Sequence, residues 1–358
     1  RVVAVALPGP QRVSVECEGR KPLFLICHAP EQRRPGPHDP GVRYFAAGRT
    51  YDAGDIRLES GQTLYLEGGA VVRGAVHAVD ARDVRVAGHG VLDGGLFTPA
   101  APRRGITFEH CRDVRVEGIT MVRPSTWMIV LGGCDGVVVR EVAQIGEVVC
   151  SDGVDVVGSC DVLIEDCFLT NNDDCVVVKS MGGENQANGR ERDWRRDVRN
   201  VVTRRCTMLC RGAGNAMEIG FELQADSIRD IVFEDLDVIG AHVYAAVFSI
   251  HNGDRATVHN VLYRDIRVEH MWNKLVDIRI LHSRYSQDAE RGQVREVVFR
   301  NIRCLPNTFN TPSLIGGYDA AHTVEDVRFE DFFVGDRKVL SADDLQLFTR
   351  QAHRISFR

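Results

Sequence analysis

The amino-acid sequence predicts an all-β chain wound as a parallel β-helix over residues 41–358, preceded by a small β appendage and linker over residues 1–40. Three observations carry this. A short pattern, a polar residue followed by alternating apolar positions, returns nine times along the chain. The apolar positions have period two rather than the three-and-four spacing of a helix, and they are rich in β-branched residues. A second series of short apolar strands runs between the copies in the same order, mostly preceded by Gly, Asn or Asp.

Taken in order, residues 1 to about 40 hold two strand-like pieces, "RVSVECEG" and "PLFLICH", and a Pro-rich linker, "APEQRRPGPHDPG". The repeat then begins. Its copies are marked by Val84, Val114, Val137, Val162, Val201, Ile231, Val261, Val297 and Val327, at intervals of 30, 23, 25, 39, 30, 30, 36 and 30 residues. Between them fall "WMIVL", "GVDVV", "CVVVK", "AMEIG", "AVFSI" and "LVDIRI". A coil of two or three short strands cannot bury its apolar face alone, whereas stacked coils bury it continuously. A propeller would need longer antiparallel blades, and a leucine-rich repeat its Leu and Asn pattern.

Two intervals are lengthened by polar insertions, residues 181–197 and 281–293, both after second-series strands. Loops on one side of a solenoid commonly wall a binding cleft, and a cleft blocked at one end favours attack from chain ends. Trp194, in the first insertion, is a sugar-stacking platform or an aromatic covering the coil edge.

The 358 residues are 44% hydrophobic and 26% charged with a net charge of -6, a globular composition with no polyanion-binding surface. Nucleic acid and membrane are therefore not expected partners. No apolar run approaches the roughly 20 residues of a bilayer span. "RVVAVALPGP" is too short and Pro-rich for a complete signal peptide, so localisation stays open, with a secreted or periplasmic site favoured over the cytoplasm. The 11 cysteines include no CxxC pair, which predicts buried free thiols and no metal. The oligomeric state is not legible.

Stacking the second series aligns Asp152, Asp174 and Asn215, each just before its strand, and Asp173 begins the same edge one residue earlier. Adjacent strands lie about 4.8 Å apart, which gathers three carboxylates within about 10 Å. Like charges so close raise at least one pKa, leaving a protonated acid beside ionised ones. Glycoside hydrolysis needs that division of labour. Asp and Asn are equally at home in β-helix turns for local hydrogen bonding, so spacing alone leaves both roles open.

"SDGVDVVGSCDVLIEDCFLTNNDDCVVVKS" (residues 151–180) resembles the core signature of the polygalacturonase-type glycoside hydrolases, family 28. In that family an Asn-Thr-Asp-Gly segment precedes, by one coil, an Asp-Asp-Cys and an apolar strand ending in Lys-Ser. The similarity extends from about residue 44 to residue 335, including "VAGHGVLDGG". The resemblance implies a right-handed, single-stranded parallel β-helix and inverting hydrolysis of a carbohydrate substrate with no cofactor. It implies Asp173 as general acid, with Asp152 and Asp174 holding the attacking water as base. Two departures stand out. Asn215 occupies the place of the family's histidine, and Phe248, Ser249 and Ile250 replace the Arg-Ile-Lys that grips a uronate carboxylate. Both losses are reminiscent of the dextranase and isopullulanase group, family 49, which cleaves neutral α-glucans. Plain polygalacturonate is thus not the expected substrate.

Around the acids, the expected substrate-binding residues are Asn215, Glu218, Lys179, His251, Asn252, Asp254, Trp194 and Arg279. Simple alternation turns Glu218 away from Asn215, although turn geometry can shift that phase. Lys179 binds a sugar hydroxyl or pairs with an aspartate, Arg279 pairs with Asp277 or faces the cleft, and Asp155 is expected to make structural hydrogen bonds. A non-hydrolytic carbohydrate-binding β-helix, or a lyase or epimerase of the same fold, is the alternative function.

Overall fold

The polar-then-apolar signature becomes a corner of the coil. In the computed structural model, which describes residues 4–17, 20–31, 34–182, 193–306 and 311–358, the residue before each of the nine markers has a left-handed backbone. These are Asp83, Asp113, Gly136, Asp161, Asn200, Asp230, Asn260, Glu296 and Asp326, with φ between 54° and 72°. Asn and Asp tolerate that conformation better than other side chains. Some of them also bridge coils, as where Asn200 Nδ2 donates to Asp161 Oδ1 at 2.7 Å and Asn260 Nδ2 to Asp230 Oδ1 at 2.6 Å.

The chain is a right-handed parallel β-helix. Every marker from Val114 onward pairs in register with the next: Val114 with Val137, Val137 with Val162, Val162 with Val201, then Ile231, Val261, Val297 and Val327. The second series stacks the same way, Ile129 on Val154, Val176, Met217, Phe248 and Val276. A third wall runs through Thr120–Val122, Ala143–Ile145, Phe168–Asn171 and Thr207–Cys210. Period-two alternation sends Val154, Val156, Val176, Val178, Met217 and Ile219 into one continuous core. Inside it Phe233, Tyr263, Phe299 and Phe329 form a ladder of nearly parallel rings 4.9 to 5.2 Å apart.

The N-terminal pieces Arg12–Val15 and Leu23–Ile26 form an antiparallel hairpin against the side of the coils. Arg12 donates to the backbone carbonyls of Asp166 and Glu141, at 2.9 and 3.0 Å, and Phe24 meets Phe168 edge-on. Among the described residues, no helix is long and apolar enough to cross a membrane. All 11 cysteines are free; eight are buried, whereas Cys17, Cys27 and Cys150 are exposed, because they lie in the hairpin segment and in the turn before Asp152 rather than in the walls of the coil.

Candidate active site

The acids converge because register carries them there. With Val154 opposite Val176 and Val176 opposite Met217, the residues two positions earlier, Asp152, Asp174 and Asn215, form one row across three coils. Backbone bonds hold the row: Gly153 N donates to the Asp174 carbonyl at 2.8 Å and Cys175 N to that of Asn215 at 3.0 Å. Gly153 is required, since a Cβ there would stand 2.3 Å from the Cys175 carbonyl oxygen. One oxygen from each of Asp152, Asp173 and Asp174 lies within 4.8 Å of the others, tighter than strand spacing alone suggests.

The three acids differ in surroundings. Asp174 is buried, and its Oδ1 accepts from the Asn215 backbone N at 2.6 Å and from Asn215 Nδ2 at 3.3 Å. Asp173 is half-buried, the most open of the three, and its Oδ1 accepts from Asp174 N at 3.0 Å. Asp152 is buried; its Oδ2 lies 3.6 Å from Lys179 Nζ and its Oδ1 accepts no hydrogen bond from the described residues. Burial pushes Asp174 well above the ordinary carboxylate range, helped by the charges of Asp173 and Glu218. Burial and the neighbouring Asp155 do the same to Asp152. Asp173 is also raised by burial, against the opposing charge of Lys179. The cluster therefore holds protons that isolated aspartates would have lost.

Lys179 projects from the outer face of its strand into this group. Burial disfavours its charge, but Glu222, Asp152 and Asp155 hold its pKa well above the ordinary value. Asp155, fully buried and 3.6 Å from Lys179, is pushed up by burial to about 7. The structural hydrogen bonds expected of Asp155 do not form: neither oxygen accepts one from the described residues, and the ion pair with Lys179 replaces them.

Glu218 lies on the same face as these groups rather than away from Asn215. It is fully buried, and it bonds Asn215 Nδ2 at 2.8 Å and His251 Nδ1 at 3.0 Å. A turn just before Met217 breaks the alternation, as the notion of a shifted phase anticipated. Beyond it, Arg279 pairs with Asp277, at 2.6 and 2.9 Å, and also reaches His251 Nε2 at 3.1 Å. Burial works against a charged His251, yet Glu218 and Asp277 raise its pKa to about 9.

Glu218, fully buried with its oxygens spent on Asn215 and His251, is corrected as a substrate contact, and three more expected contacts are corrected with it. Trp194 is fully buried, packed with Val130, Val157, Met181 and the half-buried Trp127, so no sugar reaches its ring. Asp254 is fully buried, with Leu223 N, Gln287 N and Asp288 N donating to its carboxylate at 2.7 to 2.9 Å. It anchors the 281–293 insertion to the coil. Asn252 is also fully buried and spends its amide on the Ala256 carbonyl at 2.7 Å. Residues 183–192 of the other insertion lie outside the described residues.

Two further residues were not anticipated. Trp127 holds the row position one coil before Asp152, and Lys179 Nζ lies 4.4 Å from its ring centroid. Counting back from Ile129, which opposes Val154, would have found it. Gly214 has φ +70°, and a Cβ there would stand 2.3 Å from Asp173 Oδ1; only the coil packing reveals that constraint. The three catalytic candidates also have the spacing of oxygen ligands for a hard cation, but Lys179 already supplies a positive charge at Asp152.

Comparison with known proteins identifies the family and the fold. A family profile described as Glycosyl hydrolases family 28 matches residues 96–338. A probable exopolygalacturonase C of Aspergillus terreus (strain NIH 2624 / FGSC A1156) is 32% identical over 151 residues, 41% of this chain and 29% of that protein. The chain thus spans under a third of that relative's length. Among solved structures, a hyperthermoactive exopolygalacturonase from Thermotoga maritima superposes with a TM-score of 0.62 at 16% identity, over 88% of this chain and 83% of that one. Dex49A from Penicillium minioluteum gives a TM-score of 0.59 at 16% identity, over 87% of this chain and 60% of its own. These two likenesses are of fold.

Proposed function

The chain belongs to glycosyl hydrolases family 28, and on that premise we propose that it hydrolyses O-glycosidic bonds of a polysaccharide or its oligosaccharides with inversion, using Asp173, Asp152 and Asp174. The observation that carries this reading is the convergence of three carboxylate oxygens within 4.8 Å, two of them on buried side chains.

Asp173, the most open acid, gives its proton to the departing glycosidic oxygen as the bond to the anomeric carbon breaks. A water held by Asp152 and Asp174, one of which is ionised, attacks that carbon and passes a proton to that carboxylate. One water donating two hydrogen bonds of about 2.8 Å spans oxygens up to roughly 4.6 Å apart, in keeping with the spacing here. An acid and base flanking a sugar stand roughly 6.5 to 9.5 Å apart in the usual inverting pattern, and about 5 to 5.5 Å in retaining enzymes. The tight cluster therefore also favours a second reading, in which one carboxylate attacks directly. NMR of the newly released anomeric centre separates them: an inverted product supports the water-holding pair, and a retained one refutes it.

The substrate proposed is a sugar polymer other than plain polygalacturonate. Phe248 and Ile250 point into the core and Ser249 Oγ donates to the Met217 carbonyl at 2.8 Å, so the three clamp positions present no cation. Lys179 and Arg279 are each engaged by acids, Asp152 and Asp155 for one and Asp277 for the other. Assaying the chain on dextran, pullulan and polygalacturonate tests this, with rapid turnover of polygalacturonate as the refuting result. An Asp173→Asn chain that keeps its full effect on the substrate would favour a binding protein or a lyase instead.

A further inference from the structure

The coils that follow the catalytic acids carry a buried hydrogen-bonded chain that the steps above do not use. Asn215 Oδ1 accepts from Ala246 N at 2.9 Å, which fixes the amide and turns its Nδ2 toward two carboxylates, Glu218 at 2.8 Å and Asp174 at 3.3 Å. His251 Nδ1 lies 3.0 Å from both Glu218 oxygens, and both residues are buried. On its other side His251 Nε2 meets Asp277 Oδ2 at 3.4 Å and the Arg279 guanidinium at 3.1 Å, while its ring stacks on Phe221. Whichever partner Nε2 engages, Nδ1 faces a carboxylate and carries a proton in both the neutral and the charged imidazole.

We propose that Glu218 and His251 are positioning residues that act through Asn215 to orient Asp174 and set its charge for work on water, a role that rests on the hydrolytic reading above. A carboxylate at 218 offers two acceptor oxygens to two donors, Asn215 Nδ2 and His251 Nδ1. A glutamine offers one, so one donor would face another. The fold explains why the chain is available: Glu218, Ser249 and Asp277 share one outward row of adjacent strands, as do His251 and Arg279. The charged and titratable groups facing the pair are Asp173 and Asp174 from the preceding coil, Asp277, Arg279 and Lys274 from the following one, and the Tyr263 hydroxyl from the interior.

The test titrates ¹³C-labelled aspartate carboxyls without substrate and, in parallel, records kcat and KM against pH on whichever of dextran, pullulan or polygalacturonate the native chain degrades. In Glu218→Gln, loss of a neighbouring negative charge moves the Asp174 titration down by roughly half a unit or more, and kcat falls about tenfold with KM within about twofold. Asn215→Ala, which removes a donor from Asp174, moves that titration the other way. His251→Asn keeps a short donor and retains most of kcat, whereas His251→Leu lowers kcat as Glu218→Gln does but, by leaving the Glu218 charge unopposed, moves the Asp174 titration up. An unshifted Asp174 titration in Glu218→Gln, or equal damage from both His251 variants in an active enzyme, overturns the role alone. An Asp173→Asn chain that keeps the native effect on the substrate overturns the hydrolytic reading and the role with it.

Discussion

Moving the protein from about pH 5 to pH 8 should destabilise it, and the buried carboxylates of the cleft set the size of the effect. Asp155 binds its proton with a pKa of about 7 in the fold, against about 3.9 in an unfolded chain. The folded state is therefore favoured while Asp155 is protonated, and that advantage is lost as pH rises through 7. Integrated over this window, Asp155 alone accounts for about 2 to 3 kcal/mol. Spread over the unfolding entropy of a chain of this length, about 0.75 kcal/mol per degree, the loss lowers Tm by about 3 to 4 °C. Asp152, Asp173 and Asp174, also raised, act in the same direction. So does His251, whose contribution is lost as pH rises through about 9. At the acid end Glu165 sets a limit. Its burial opposes charge, but Arg204, Arg140 and Arg205 hold its pKa down at about 2, so its stabilisation is lost as pH falls through that value. Differential scanning calorimetry across the range, with Asp155→Asn alongside, measures the effect. A Tm at pH 8 equal to or above that at pH 5, or an Asp155→Asn chain with an unchanged pH dependence, would refute the reasoning.

Other perturbations separate chemistry from support. Asp173→Asn should lower turnover by about 10² to 10⁴-fold with Tm at pH 5 unchanged, since a general acid contributes that much. Gly214→Ala puts a methyl 2.3 Å from Asp173 Oδ1 and 2.4 Å from Asp174 N at a left-handed φ, and displacing the acids should cost about 100-fold in kcat. Lys179→Met leaves Asp152 and Asp155 buried without their cation. It should cost about 3 to 5 kcal/mol in chemical denaturation and move the acid limb of the pH profile to higher pH. Trp194→Ala should cost about 3 to 5 kcal/mol without the change in KM that loss of a sugar platform would bring, because the ring is fully buried.

The coil itself was legible in the residues. Period-two apolar runs have one stable solution when they recur at a near-constant interval, and the markers from Val114 onward pair in the register that counting predicts because each left-handed corner resets the phase. The same count brought Asp152, Asp174 and Asn215 into one row, since backbone spacing alone determines it. What alternation could not supply was the direction of side chains next to turns, where a single residue of slip reverses a face. Glu218 turned toward Asn215 for that reason. Nor could polarity distinguish a residue exposed to sugar from one consumed by its own loop. Asp254 and Asn252 look alike in sequence to cleft residues, yet their hydrogen bonds close on backbone groups brought near only by the folded insertion. Trp194 was aromatic and loop-borne, but tertiary packing gave it a dry pocket. Local periodicity thus determined the solenoid and the row of acids; burial decided their protonation and their partners, because desolvation and ion pairing arise only when distant coils exclude water together.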